Sequence, residues 1–390
     1  METETKPLIK SDTNPIKTGQ KTTHEIVVTM EEPDEIFWAK YQTLWEDSYE
    51  RSPFQGPTFI QNLIKIAKGK TEGIQFYCQN ELLGCAILNN DGHCFRFLSD
   101  KKSDYNSFVF NQNLSSVQLE ACFKAFFRFV ESEKLSILLH KQIEGAIYTQ
   151  ALQQSMAESN AFVREVPYSI CPILECESPE LMFEKMNRSK NVRYKRNRLL
   201  KMKETYLEIL EDDKHLEDWC QAYCNHHVER WTDSATPSKY TSAHERKHLI
   251  NHVKSWIEDG TLVRFAIVQE KQRIALSAGL LCRDTFVGHL QSFDPAYKKH
   301  SLGNILINLI GKWLMDRGIR KINFGDGKDE YKFSFATDSL RLTNIYISPP
   351  QNLPFRFKAY LDATYRSNAN IRRIVSLTKS TLRFRKINQS

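Results

Sequence analysis

The strongest constraint on this chain is an order of elements that occurs twice. "GIQFYCQN" and "ELLGCAIL" alternate as a hairpin, "HCFRFL" supplies a third strand, "SVQLEACFKAFFRFVES" a helix, and "LSILLH" a further strand. The second run reads "TLVRFAIV", the turn "QEKQR", "IALSAGLLC", "TFVGHLQSFD", the helix "GNILINLIGKWLMDRG" and the strand "IRKINF". A meander, a crossover helix and a further strand, made twice, predict an α/β protein of two halves. Each half is a mixed, mostly antiparallel sheet flanked by helices. The repeat lies in the pattern alone, since the residues of the two runs do not correspond. In the second helix Leu302, Leu306, Leu309 and Trp313 fall at helical spacing, and Gly318 stands where a C-terminal cap is expected.

The remaining segments fall around these runs. Residues 1–24 are polar without an apolar core and are expected to be a disordered tail. Domains are expected at 25–177 and 178–348, with a basic tail at 349–390. One basic helix, "LMFEKMNRSKNVRYKRNRLLKMKE", is expected between the halves, followed by amphipathic helices at 217–231 and 243–258. No run reaches the length of apolar residues that spans a bilayer. Nine scattered cysteines suit a reducing compartment, so the cytoplasm is the expected location. The net charge of +7 is uneven: between Arg356 and Ser390 nine Lys and Arg oppose the single Asp362. The basicity therefore belongs to the tail and does not mark the fold as a nucleic-acid binder. In that tail Ile371, Ile374, Val375 and Leu382 fit either a packed terminal helix or a peripheral contact at the inner face of a membrane.

"FDPAYKKHSLGNILINLI" passes from strand through a polar turn into a helix. Such a junction presents unpaired backbone N–H groups to an anion, or simply turns the chain at Gly303. It resembles the segment of GNAT acyltransferases that cradles the acyl-CoA pyrophosphate after a bulged fourth strand. His300-x-x-Gly303-x-Ile305 stands where that family has Gln/Arg-x-x-Gly-x-Gly/Ala. "PFQGPTF" (Pro53 to Phe59), "SDY" (Ser103 to Tyr105), the basic helix around Lys190 and Arg193, "HVERW" (His227 to Trp231) and "NFGDGKDEYKFSF" add to the likeness. Together they resemble a GNAT-like family associated with cell-surface polysaccharide (cellulose, capsule) biosynthesis, related to the Fem transferases that use aminoacyl-tRNA. The resemblance implies two tandem GNAT-like domains and an acyl-CoA-dependent N-acyltransferase. The implied acceptor is a small amine such as an amino sugar, a sugar nucleotide or another envelope precursor.

The implied cofactor site comprises Lys298, Lys299, His300, Ser301, Leu302, Gly303 and Asn304, without a metal. Amine acylation needs a proton acceptor and a group that protonates the leaving thiolate. Asp294 is the first candidate for substrate orientation or base, Tyr297 for the acid, and His289 for a base or a core-edge imidazole. Candidate acceptor contacts are Asp104, Tyr105, Arg193, His227, Arg230, Trp231, Asp326, Tyr331 and Lys332, the last placed to hold a phosphate or carboxylate. Residues 185–203 carry nine Lys and Arg and no acid, with Arg193, Arg196 and Asn197 on one face. They read as a solvated helix, a cleft wall for an acidic acceptor, or an RNA contact that an aminoacyl-tRNA donor would use. "CQAYCNHH" lacks a second ligand pair at zinc spacing, and no Gly-x-Ser-x-Gly or Walker-type motif occurs. Loss of catalysis, leaving a binding module, is the third reading.

Overall fold

The computed structural model describes residues 25–232, 234, 237–327, 329–368 and 370–371. In chain order the elements begin with β1 (Ile26–Glu31), α1 (Glu35–Glu46), α2 (Pro57–Ile64), β2 (Lys70–Cys78), β3 (Glu81–Asn90), β4 (Phe95–Phe97) and β5 (Val109–Phe110). They continue with α3 (Ser116–Ser132), β6 (Ile137–Ile143), α4 (Ile147–Met156), β7 (Phe162–Glu175), α5 (Pro179–Met186), α6 (Lys190–Leu199) and β8 (Thr205–Leu210). Next come α7 (Leu216–Arg230), α8 (Ala243–Glu258), β9 (Leu262–Gln269), β10 (Gln272–Cys282), β11 (Thr285–Phe293) and α9 (Leu302–Asp316). The last are β12 (Lys321–Asn323), α10 (Glu330–Phe335), β13 (Asp338–Ser348) and α11 (Leu353–Ser367).

All strands join one sheet in the order β1-β2-β3-β4-β6-β13-β7-β12-β11-β10-β9-β8, with β5 paired to β3. Each meander is antiparallel, and each crossover helix returns the chain to a parallel neighbour: β4 beside β6, and β11 beside β12. This is the predicted mixed α/β architecture. The centre of the sheet departs from simple succession. β13, the last strand, lies antiparallel between β6 and β7, while β7 continues on to pair with β12. Each half therefore borrows a central strand from the other end of the chain.

Helices cover both faces. α3 and α4 close one aromatic core with Phe76, Phe108, Phe110, Phe123 and Phe126, and α5 and α9 close another around Phe265, Ile305 and Leu314. The largest core is shared: α1 and α2 from the first half meet α7 and α8 from the second around Trp45, Phe59, Trp219 and Trp256. Local chemistry agrees with these elements. Ser115 and Gln118 form a reciprocal capping box at α3, and Gly318, with φ +73°, ends α9 as expected.

Three segments differ from or fall outside the sequence reading. The single basic helix is broken into α5 and α6 at Asn187–Ser189, because Asn187 is drawn into a polar knot. Its side-chain oxygen accepts from Asn308 Nδ2 at 2.7 Å and its carbonyl from Arg193 Nη1 at 3.0 Å, and Ser189 then caps α6. Part of the expected basic tail is α11, seated on β7 and β13 through Phe355 and Ala359. The expected disorder at 1–24 and the tail positions Ile374, Val375 and Leu382 lie outside the described residues.

Candidate functional site

β11 and β12 run side by side for only three residue pairs, Thr285–Lys321 to Val287–Asn323, and then separate. Separation leaves a cavity of about 210 Å³, lined along β11 by Phe286 and Gly288 to Gln291, and on the facing side by Ile322 and Phe324. Opposite them stand His227 and Arg230 of α7 and Trp231 just past its end, with Tyr331 and Lys332 of α10. The bulge expected in this strand is present, and its position matters. Ala278 faces Leu290 and Gly279 faces Gly288, so His289 is the inserted residue without a partner in the register.

His289 is almost fully buried, and its Nδ1 lies 3.6 Å from Asp104 Oδ2. The ring is held edge-on by Trp256 at 4.9 Å and flanked by Phe54 at 5.6 Å. Asp104 arrives from the first half of the chain. There β4 and β6 also separate, but the gap is filled by the protein's own residues. The Asn106 amide donates to Lys141 O at 3.0 Å, Gln142 Nε2 to Asn106 O at 3.1 Å, and Lys141 Nζ to Ser103 O at 2.6 Å. "SDY" is thus a plug in one cleft that delivers a carboxylate to the other. The Asp326 amide donates to Asp104 Oδ1 at 3.0 Å, made possible by Gly325 with φ +73° and a Cβ position only 3.0 Å from that carboxylate. Asp104 Oδ2 has no hydrogen-bond partner among the described residues, and the nearby imidazole at 3.6 Å stands just beyond hydrogen-bond distance. A buried acceptor left unpaired costs about 1–3 kcal/mol, so a proton on Nδ1 is favoured. That tautomer leaves Nε2 as the basic nitrogen.

A second motif explains itself in the same place. In "PFQGPTF", the α2 amides of Thr58 and Phe59 donate to Asp259 Oδ1 and Oδ2 at 2.8 and 3.0 Å. Pro53 O accepts from Trp256 Nε1 at 3.0 Å, and Phe59 stacks on Trp256 at 4.8 Å. Asp259, at the end of α8, caps a helix of the other half. Burial nevertheless pushes its carboxyl pKa up against those hydrogen bonds. The clasp fixes Phe54 and Trp256, the two walls of His289.

The other predicted positions are distributed as follows. Lys332 is buried and donates to Asp326 O at 3.0 Å, with Asp329 at 3.6 Å. His227 bonds Ser238 Oγ through Nδ1 at 2.8 Å; burial, then Lys102 and Arg230, lower its pKa to about 4. Arg230 lies over the Phe293 ring at 4.6 Å. Tyr105 packs on Phe54 and faces Cys282, lining a different cavity with Glu50. Arg193 braces Asn187, as described above. Asp294 and Tyr297 do not line the cavity that holds His289. Asp294 accepts from the Ala296 amide at 2.8 Å as cap of the short helix Pro295–His300, with His226 and Glu229 close by. Tyr297 leans on His300 and the α9 core.

At the Gly303 turn, Lys298, Lys299 and His300 are exposed, and Ser301 turns the chain with φ 59°. The Asn304 amide bonds Ser301 O, whereas a side chain placed on Gly303 would meet nothing nearer than Gln291 at 3.7 Å. Gln291 Nε2 donates to Gly303 O at 3.3 Å, and Leu302 is buried. Lys195 of α6 crosses to Ser301 Oγ at 3.0 Å, a cation counted in the basic helix but not singled out from the sequence. Lys102, Trp256, Phe54 and Gln291 were also not among the sequence candidates. Lys102 carried a weak signal, standing beside "SDY". Cys220 and Cys224 are packed inside α7's core, their thiols pushed up to about 12 and about 11 by burial.

Residues 186–333 match the family model described as "Acetyltransferase (GNAT) domain", which spans α9, its preceding turn and most of the cavity wall. No curated protein matches the chain. Among solved structures, FemX is 9% identical with a TM-score of 0.56, covering 83% of this chain and 98% of that one. L-PGS from Bacillus licheniformis is 9% identical with a TM-score of 0.54, covering 86% and 98%. The fold is GNAT-like. A conserved protein of unknown function from Bacteroides thetaiotaomicron, 10% identical with a TM-score of 0.55 and covering 83% and 100%, shares it. At such identities these likenesses establish the GNAT-type acyltransferase fold alone.

Proposed function

We propose that this protein is an N-acyltransferase that moves an acyl group from acyl-CoA to an amine on a small envelope or polysaccharide precursor, such as an amino sugar or its nucleotide. The observation that carries this reading is the separation of β11 from β12, with the bulged His289 backed by Asp104 in the gap. A thioester threaded between the strands presents its carbonyl carbon to an amine from the α7 side. The amine nitrogen forms the C–N bond, its surplus proton passes to His289 Nε2, and the C–S bond breaks to release the thiolate, which takes that proton back from the imidazolium and leaves as the thiol. Asp104 steadies the imidazolium that forms. The carrier's diphosphate suits the open Gly303 turn at the start of α9, with Lys195 and Lys298 alongside. Lys102 and Arg230 at the cavity favour an acceptor that carries a phosphate or carboxylate.

One observation favours a second reading, transfer from aminoacyl-tRNA. α6 carries Lys190, Arg193, Lys195, Arg196 and Arg198, its Lys195 reaches the same turn, and the fold is like that of FemX and L-PGS. The two donors are separated by thiol release from acetyl-CoA over a panel of amino-sugar nucleotides, with calorimetry of CoA binding and salt-dependent tRNA binding in parallel. Turnover with CoA is expected. Absence of both turnover and CoA binding overturns the first reading, and steeply salt-dependent tRNA binding in its place establishes the second.

A further inference from the structure

α11 has two unlike faces. Phe355 and Ala359 are buried against Phe162 and Tyr346, anchoring the helix on the sheet. On the opposite side Leu353, Phe357, Tyr360 and Leu361 are 64%, 63%, 44% and 54% exposed. Their spacing of four, three and one residues aligns them in a stripe roughly 100° wide. Four large apolar side chains face water on this one helix, whereas α1, α3, α4, α5, α6 and α10 each expose a single one. The cations around the stripe and beyond it identify the occupant. Lys358 is exposed beside it, and Arg164 lies over the Tyr360 ring at 4.1 Å. The sequence that follows then carries Arg372, Arg373, Lys379, Arg383, Arg385 and Lys386 with no acid.

We infer that α11 is an interfacial helix that seats on an anionic lipid bilayer, its apolar stripe in the acyl–headgroup boundary, with the positive charge of the chain around and beyond it favouring anionic lipid. No helix among the described residues is long and apolar enough to cross a membrane, so the contact is peripheral. A protein partner would need acidic complementarity to a segment with six cations and no acid, whereas an anionic leaflet supplies both the charge and the apolar layer. The C-terminal end of α11 also touches the candidate site's supports. Arg366 lies over the Tyr168 ring at 4.2 Å, Lys141 over the same ring at 5.6 Å, and Lys141 Nζ donates to Ser103 O at 2.6 Å.

The test is sedimentation of the full chain with vesicles of phosphatidylcholine alone and of phosphatidylcholine mixed with phosphatidylglycerol. Binding to the anionic vesicles only is expected, with release by high salt. Because Phe357 and Leu361 are exposed, the double variant F357S/L361S is expected to keep the wild-type melting temperature and to lose about tenfold or more in vesicle affinity. Equal binding to both vesicle types, no binding to either, or unchanged binding by the double variant overturns the inference. A concentration-dependent dimer that the double variant abolishes, without vesicle binding, assigns the stripe to a second copy of this chain and overturns it too.

Discussion

His289 and Asp104 are 185 positions apart in the chain and 3.6 Å apart in space. The bulge fixes one and the plugged first cleft fixes the other, so neither depends on the other's side chain for its backbone position. His289→Ala is expected to lower kcat roughly 10²–10⁴-fold with KM little changed. Asp104→Asn is expected to lower kcat while melting within a few degrees of the wild type, since the Asp326 amide retains an oxygen acceptor. A KM effect alone, in steady-state thiol-release kinetics, would show that the pair binds substrate and takes no proton. His289 was legible as a polar residue on the strand before the turn and Asp104 as a candidate acceptor contact, but their pairing was not. Asp294 and Tyr297 were attractive on the same evidence, as polar groups beside the cofactor turn. The structure uses one to cap Pro295–His300 and packs the other on α9, because Pro295 starts a helical turn that bends away from the cavity.

At the scale of elements, the clasp between α2 and α8 does for the site what no single residue does. α2 has only eight residues and offers Pro57 at its first position with no side-chain cap of its own. Asp259, from the other half, supplies the missing acceptors. Gly56 leaves room for it: a Cβ there would stand 2.2 Å from Asp259 Oδ2. Gly56→Ala is therefore expected to displace the carboxylate and destabilise the fold by about 2 kcal/mol, the loss of a helix cap together with overpacking. Denaturant titration of the variant checks this, and stability equal to the wild type would mean that the clasp yields without cost. "PFQGPTF" was visible as a motif in the sequence. Its purpose was not, because the acceptor lies about two hundred residues downstream.

Across the whole molecule, two strands exchanged at the centre of the sheet and one core shared by four helices tie the halves into a single cooperative object. Its buried and half-buried histidines predict how that object responds to acid. Burial is the largest cause holding His140, His227 and His252 each down to about 4, against about 6.5 in an unfolded chain. Between those values the unfolded state binds protons that the native state refuses, so stability falls as pH drops from about 6.5 toward 4. Glu50, raised by burial to about 7, works in the opposite direction over much of that range, because its native form takes up a proton first. Asp259, raised by burial as well, sides with Glu50, and three histidines against these two carboxyls leave a net loss. The melting temperature is expected to be highest near neutrality and to fall between pH 6.5 and 4.5; a flat profile in thermal melts would contradict this account.

The sequence by itself determined the elements: two meanders with crossover helices, the end of α9 at Gly318, and the turn at Gly303. These follow from side-chain periodicity and backbone preference, which act over a few residues and are written locally. It also placed α6's charge and the strand that carries His289. Only the tertiary structure decided that β13 runs between β6 and β7, that the first cleft is filled by the segment around Asn106, and that Asp104 and Asp259 serve residues in the other half. Those outcomes rest on hydrogen bonds and packing between segments far apart in the chain. Neither partner of such a pair carries any local mark of the other.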